Sequence, residues 1–144
     1  MKAKTYLKQI ELMDAKINTR LEEVERLNAL ATKTTSVMGG ERVQSSGSQQ
    51  KMADCVTRIA DLKAEINKEI DKFVNIKQEI LQIMDKHCDP DCINLLYSRY
   101  FQYKPWEQIA VELSFTYKWV SGGLHQRALS QVQRGLDERK EEPG

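Results

Sequence analysis

Residues 105–129 read PWEQIAVELSFTYKWVSGGLHQRAL. Apolar residues at 109, 110 and 113 recur at helical spacing and stop at Ser114; Val120, Leu124 and Ala128 then resume in four-residue steps. Pro105 pre-sets the backbone angle of a first helical turn, and Thr116 offers a capping oxygen to the next helix. The stretch therefore reads as two helices joined by the three-residue turn SFT. In a helix-turn-helix the first helix crosses the DNA backbone and the second enters the major groove. Trp106, Ile109, Ala110 and Leu113 are expected to bury one face of the first helix. Phe115 plugs the turn, and Val120 and Leu124 seat the second helix. The apolar steps at 120, 124, 128, 132 and 136 each overshoot an α-helical turn by about 40°, so the stripe is expected to spiral. Two adjacent glycines, Gly122 and Gly123, stand in this helix, although each costs a helix interior roughly 1 kcal/mol relative to Ala.

Upstream, HCDPDC at 87–92 breaks the preceding pattern. Asp89 is a good helix cap and Pro90 a good first helical residue. The helix they open carries Ile93, Leu95, Leu96 and Tyr100. Residues 89–138 thus form a three-helix module, with residues 139–144 expected to fray. The cysteines number three, an odd count without an export-type leader, so reduced thiols and a cytoplasmic location are expected. His87, Cys88 and Cys92 could offer ligands to zinc. They lack the paired spacing and fourth ligand of such sites, so no metal is expected.

The N-terminal half is built differently. Residues 3–31 carry a heptad-like stripe through Tyr6, Ile10, Met13, Ile17, Val24 and Leu27, interrupted by Arg20 and widened by Leu7 and Leu21. Residues 51–87 repeat it through Met52, Cys55, Ile59, Leu62, Ile66, Phe73, Ile76, Ile80 and Ile83, interrupted by Glu69. Neither helix can bury its stripe alone. Residues 32–50 are rich in Ser, Thr, Gln and Gly and read as a flexible loop. The expected architecture is all-α: a long, coiled-coil-like helical hairpin over 1–88, then the helix-turn-helix module. A parallel intermolecular coiled coil remains the competing arrangement.

Charge is local rather than global. The 144-residue chain has a net charge of +1, so bulk charge does not make it a polyanion binder. Between Tyr97 and Arg134, however, five cations stand against two carboxylates, and residues 117–134 contain no acid at all. That suits phosphate contact. No stretch approaches the 18 or so apolar residues of a membrane span. No carboxylate pair, Ser/His/Asp set or phosphate-cradling Gly loop points to catalysis, so an enzyme is not expected.

The run YSRYFQYKPWEQIAVELSFTYKWVSGGLHQRAL, residues 97–129, resembles region 4 of the sigma-70 family. The whole chain, including ADCVTRIADLKAEINKEIDKFVNIKQEI at 53–80, resembles small phage and prophage proteins of Gram-positive bacteria, akin to late-gene regulators of the RinA and ArpU type. The chain departs from region 4 at Ser114, where that family usually has Gly, at Gly122–Gly123, and in an LHQRAL run one residue longer than LHRAL. It has nothing like the sigma segments that grip core polymerase. The exposed heptad stripes predict a homodimer formed through the long helices. The resemblance implies a cytoplasmic regulator that binds double-stranded DNA and contacts RNA polymerase. It places Tyr117, Lys118, Ser121 and Gly122 toward the groove, with His125 one turn later. Arg99, Lys104 and Arg127 become phosphate contacts. By helical counting Gly123 falls beside the seat, where it would let helices cross closely. Gly122 would permit backbone approach without a base contact. The alternatives are a helical protein-interaction module that does not bind DNA and a small terminase-like packaging component.

Overall fold

The computed structural model describes residues 1–40 and 46–141, with side chains at 34–40 and 46–48 left aside. The described residues are all-α, with no strand among them. Helix α1 spans Ala3–Gly40, α2 Ser46–His87, α3 Pro90–Leu96, α4 Trp106–Leu113 and α5 His125–Glu141. Two segments are wound as π-helix: Tyr97–Phe101, continuing α3, and Trp119–Leu124, leading into α5.

The Ser/Thr-rich stretch is more helical than its composition implies. The loop expected over 32–50 is helix up to Gly40 and again from Ser46, and 41–45 lie outside the described residues. The local hydrogen bonds at its two ends are compatible with helix. Thr32 Oγ1 donates to the carbonyl of Asn28 at 2.9 Å, and Gln50 reaches Asp54 at 2.9 Å. Both are helix-compatible i, i+4 contacts, and weak intrinsic propensity is easily overridden.

The chain divides into two compact units, Met1–Met13 with Phe73–Gly144, and Asp14–Lys72. This division falls inside both long helices rather than at residue 88. Within the second unit α1 and α2 run antiparallel: Arg20 meets Glu65 at 3.4 Å, Lys16 meets Glu69 at 3.4 Å, and Val24 packs with Leu62 and Ile66. The two residues that break the heptad patterns, Arg20 and Glu69, face each other at 3.6 Å. Each interruption is thus the other's partner. Leu21, expected to widen the stripe, is exposed instead.

The first unit holds the larger core. Tyr6, Leu7 and Ile10 of α1, with Ile80, Ile83 and Met84 of α2, share it with Leu95, Leu96, Ile109, Val120, Leu124, Ala128 and Val132. The ends of the long helices therefore complete the core of the short ones. Tyr6 donates a 2.6 Å hydrogen bond to Glu79, and the Ala3 amide donates to Gln133 Oε1 at 2.8 Å. Gly135 marks the close helix approach: a Cβ there would lie 2.6 Å from Ile83 Cγ2 and 2.8 Å from His87 Cδ2.

Candidate nucleic-acid interface

α4 ends at Ser114, whose φ of 60° and ψ of 38° are left-handed. The Ser114 amide bonds the carbonyl of Val111, and the Phe115 amide bonds that of Ala110 at 3.0 Å. This is a Schellman closure built without its usual glycine. Phe115 packs on the core, and Thr116 Oγ1 accepts from the Trp119 amide at 3.2 Å, capping the last helix. The two helices and the tight turn between them match the sequence-based expectation.

The last helix is not a plain α-helix at its start. In the π segment Trp119–Leu124 the winding turns less per residue than α. That offsets the overshoot of about 40° at the step from Val120 to Leu124, while the later steps run through the regular α5 helix and keep their drift. Val120, Leu124, Ala128, Val132 and Leu136 are all buried. The expected spiral is thus shortened by one step at the π turn. Ser121 Oγ back-bonds to the Tyr117 carbonyl at 2.8 Å.

The glycines have separate surroundings. A Cβ at Gly122 would meet nothing within 4 Å. A Cβ at Gly123 would run into the Trp119 ring, whose Cε3 would lie 2.6 Å away. Gly123 therefore makes room for a side chain of its own helix, not for a crossing helix as the spacing implied.

No protein-family model, curated protein or solved structure matches this chain.

The candidate contact residues fall into two groups. Tyr117 and Lys118 are exposed at the start of the last helix, beside the open Gly122. The others are engaged within the protein. Arg127 Nη2 lies 2.7 Å from Asp89 Oδ2. Asp89 also receives Gln131 Nε2 at 2.9 Å and the Cys92 amide at 3.0 Å, and these contacts, led by Gln131, hold its carboxyl below the usual carboxylate range. Lys104 Nζ is 2.8 Å from Glu112. Arg99 lies 4.3 Å over the Trp106 ring and donates to the Lys104 carbonyl at 3.1 Å.

His125 does not belong to the outer face. It is 6% exposed, shares a 2.7 Å hydrogen bond with the Tyr100 hydroxyl and packs edge-on against Trp106 at 4.7 Å. Burial first, then the charges of Lys4 and Arg99, lower its pKa to about 4, so it is neutral at pH 7. Counting one turn on from Ser121 missed this because α-helical counting fails across a π turn. HCDPDC serves as a helix boundary: Asp89 caps α3, and burial pushes the thiol of the fully buried Cys92 up to about 12.

One feature had no local signal. A cleft of ≈ 390 Å³ is lined by Lys4 and Lys8 of α1, Arg99 of the first π segment, and Ser121, His125 and Gln126 of the last helix. The sequence placed Lys4 and Lys8 in an oligomerisation hairpin. Only the shared core brings them beside the helix-turn-helix.

Proposed function

We propose that this protein is a phage-type, non-catalytic DNA-binding regulator whose last helix enters the major groove of duplex DNA. The observation that carries the reading is the α4–Ser114–last helix geometry, which leaves Tyr117 and Lys118 uncovered beside a glycine with open space. An exposed lysine and tyrosine at the start of a second helix are the groups that reach phosphate and base edges. Arg99, Lys104 and Arg127 act mainly by holding the fold, since each already has a partner. The long helices supply a homodimer contact or a contact to RNA polymerase. Among the described residues of the Asp14–Lys72 unit, Leu21, Val56 and Ile70 are large apolar side chains that stand exposed and suit such a contact.

Binding to duplex DNA measured by fluorescence anisotropy tests the reading. Affinity should fall steeply between about 50 and 200 mM salt, and Lys118→Ala should lower the log–log salt slope by about one. Salt-insensitive or absent binding would remove it. Sedimentation at high micromolar concentration tests the dimer: a monomer there ends that part.

A second reading has its own observation. Val111 is 79% exposed, and Tyr117 and Trp119 stand 50% and 42% exposed. These residues lie around the turn and the start of the last helix. They would suit a protein partner if DNA binding fails and Trp119→Ala abolishes capture of purified host polymerase.

A further inference from the structure

We propose that the cleft between α1 and the last helix binds a backbone phosphate of the same duplex DNA, with Lys4 and Lys8 as its principal cations. The inference rests on the DNA-binding reading above and extends the contact surface to a helix that the sequence assigned to oligomerisation.

Three observations carry it. The first is the lining. Lys4, Lys8 and Arg99 converge with the polar groups of Ser121 and Gln126, and Glu11 is the one carboxylate among the lining residues. His125, neutral at pH 7, contributes no positive charge of its own and supplies a polar wall, so the lysines and Arg99 carry the attraction. The second is that the two lysines stand unpaired. Three other cations of this unit are engaged, Arg127 with Asp89, Lys104 with Glu112 and Arg139 with Glu79, whereas Lys118 and Arg134 are exposed like the two lysines. Lys4 and Lys8 carry no ion pair among the described residues and are exposed. Two like charges one helical turn apart repel each other mildly, and an anion between them removes that repulsion.

The third observation is rigidity. α1 buries Ala3, Tyr6, Leu7 and Ile10 in the core, so positions 4 and 8 lie on the adjoining line of the helix. Gln133 of α5 holds the Ala3 amide, and Glu79 of α2 holds the Tyr6 hydroxyl. The lysine backbones are thus fixed relative to the last helix before any ligand arrives. Ser121 lines the cleft and stands on the same helix as Tyr117 and Lys118, three residues beyond Lys118. In the proposed complex, a duplex engaged by Tyr117 and Lys118 has a neighbouring phosphate within reach of Lys4 and Lys8. Phosphate contacts of this kind fix register without reading sequence.

The test compares wild type, Lys4→Ala/Lys8→Ala and Lys4→Arg/Lys8→Arg on two unrelated duplexes across a salt series. Melting temperatures confirm that each variant folds. The alanine pair should weaken binding to both duplexes alike and lower the log–log salt slope by about two. The gap between wild type and that variant should then shrink roughly tenfold from 50 to 200 mM salt. The arginine pair should retain the wild-type slope. If wild type binds DNA and the alanine pair binds with equal affinity and slope, the phosphate site is wrong and the helix-turn-helix reading stands. If the arginine pair loses as much as the alanine pair, the lysines act structurally and the proposal fails. If wild type binds neither duplex at any salt, both readings fall.

Discussion

At the residue scale, neighbouring side chains of one type have unlike roles. Gly122 faces open space, so Gly122→Ala should gain about 1 kcal/mol in urea denaturation from helix propensity alone. Gly123→Ala should displace the Trp119 ring instead. Because that ring is 42% exposed it can swing outward, so stability should change by less than about 1 kcal/mol. Trp119 emission, read in a Trp106→Phe background, should shift to the red, and an unmoved spectrum would contradict the packing. His125 has a folded pKa of about 4 against an ordinary 6.5. Its protonation therefore favours the unfolded chain. The stability it contributes is complete above pH 6.5 and is lost as pH falls from 6.5 toward 4, by about 3 kcal/mol at most. His125→Gln should flatten the melting temperature across that window. The sequence shows that His125 exists and lies one turn past Ser121. Which way it points depends on Tyr100 and Trp106, two elements away.

At the element scale, pattern reading succeeded where periodicity was long, even with one interruption in each stripe, and stumbled where geometry changed within an element. The heptad stripes required α1 and α2 to find a partner, and the structure chose between the two open arrangements by pairing them antiparallel. The meeting of Arg20 and Glu69 was visible only as two unexplained interruptions, because register is a property of the pair. Arg20 Nη1 is buried and makes no hydrogen bond among the described residues, its link to Glu69 being an ion pair at 3.6 Å. Removing one partner should therefore hurt more than removing both. Glu69→Leu should cost about 1–3 kcal/mol in chemical denaturation, and Arg20→Leu/Glu69→Leu should restore wild-type stability or exceed it. A double variant no better than the single one would mean that the pair is not coupled. The π segment at Trp119–Leu124 was not legible, because its apolar steps of four suit a drifting α-helix equally well.

At the scale of the whole molecule, the three-helix module does not own its core. Tyr6, Leu7, Ile10, Ile80, Ile83 and Met84 share one cluster with Leu95, Ile109 and Val120. A fragment spanning 89–144 should therefore lack a cooperative thermal transition by circular dichroism. A chain in which a short Gly/Ser linker replaces residues 14–72 should keep one, because it retains every member of that cluster. Folding of the short fragment would show that the long-helix ends are dispensable. By itself, the sequence determined the all-α class, the long helices, the caps at Asp89 and Thr116, and the two helices about Ser114. These depend on contacts within a few residues, which periodicity and capping chemistry record. The tertiary structure alone decided that Lys4 and Lys8 stand beside Arg99 and Ser121, that His125 turns inward, and that Arg127 and Lys104 are already partnered. Those outcomes depend on groups far apart in the chain brought together by a shared apolar core, and no local pattern encodes which charges that core leaves side by side.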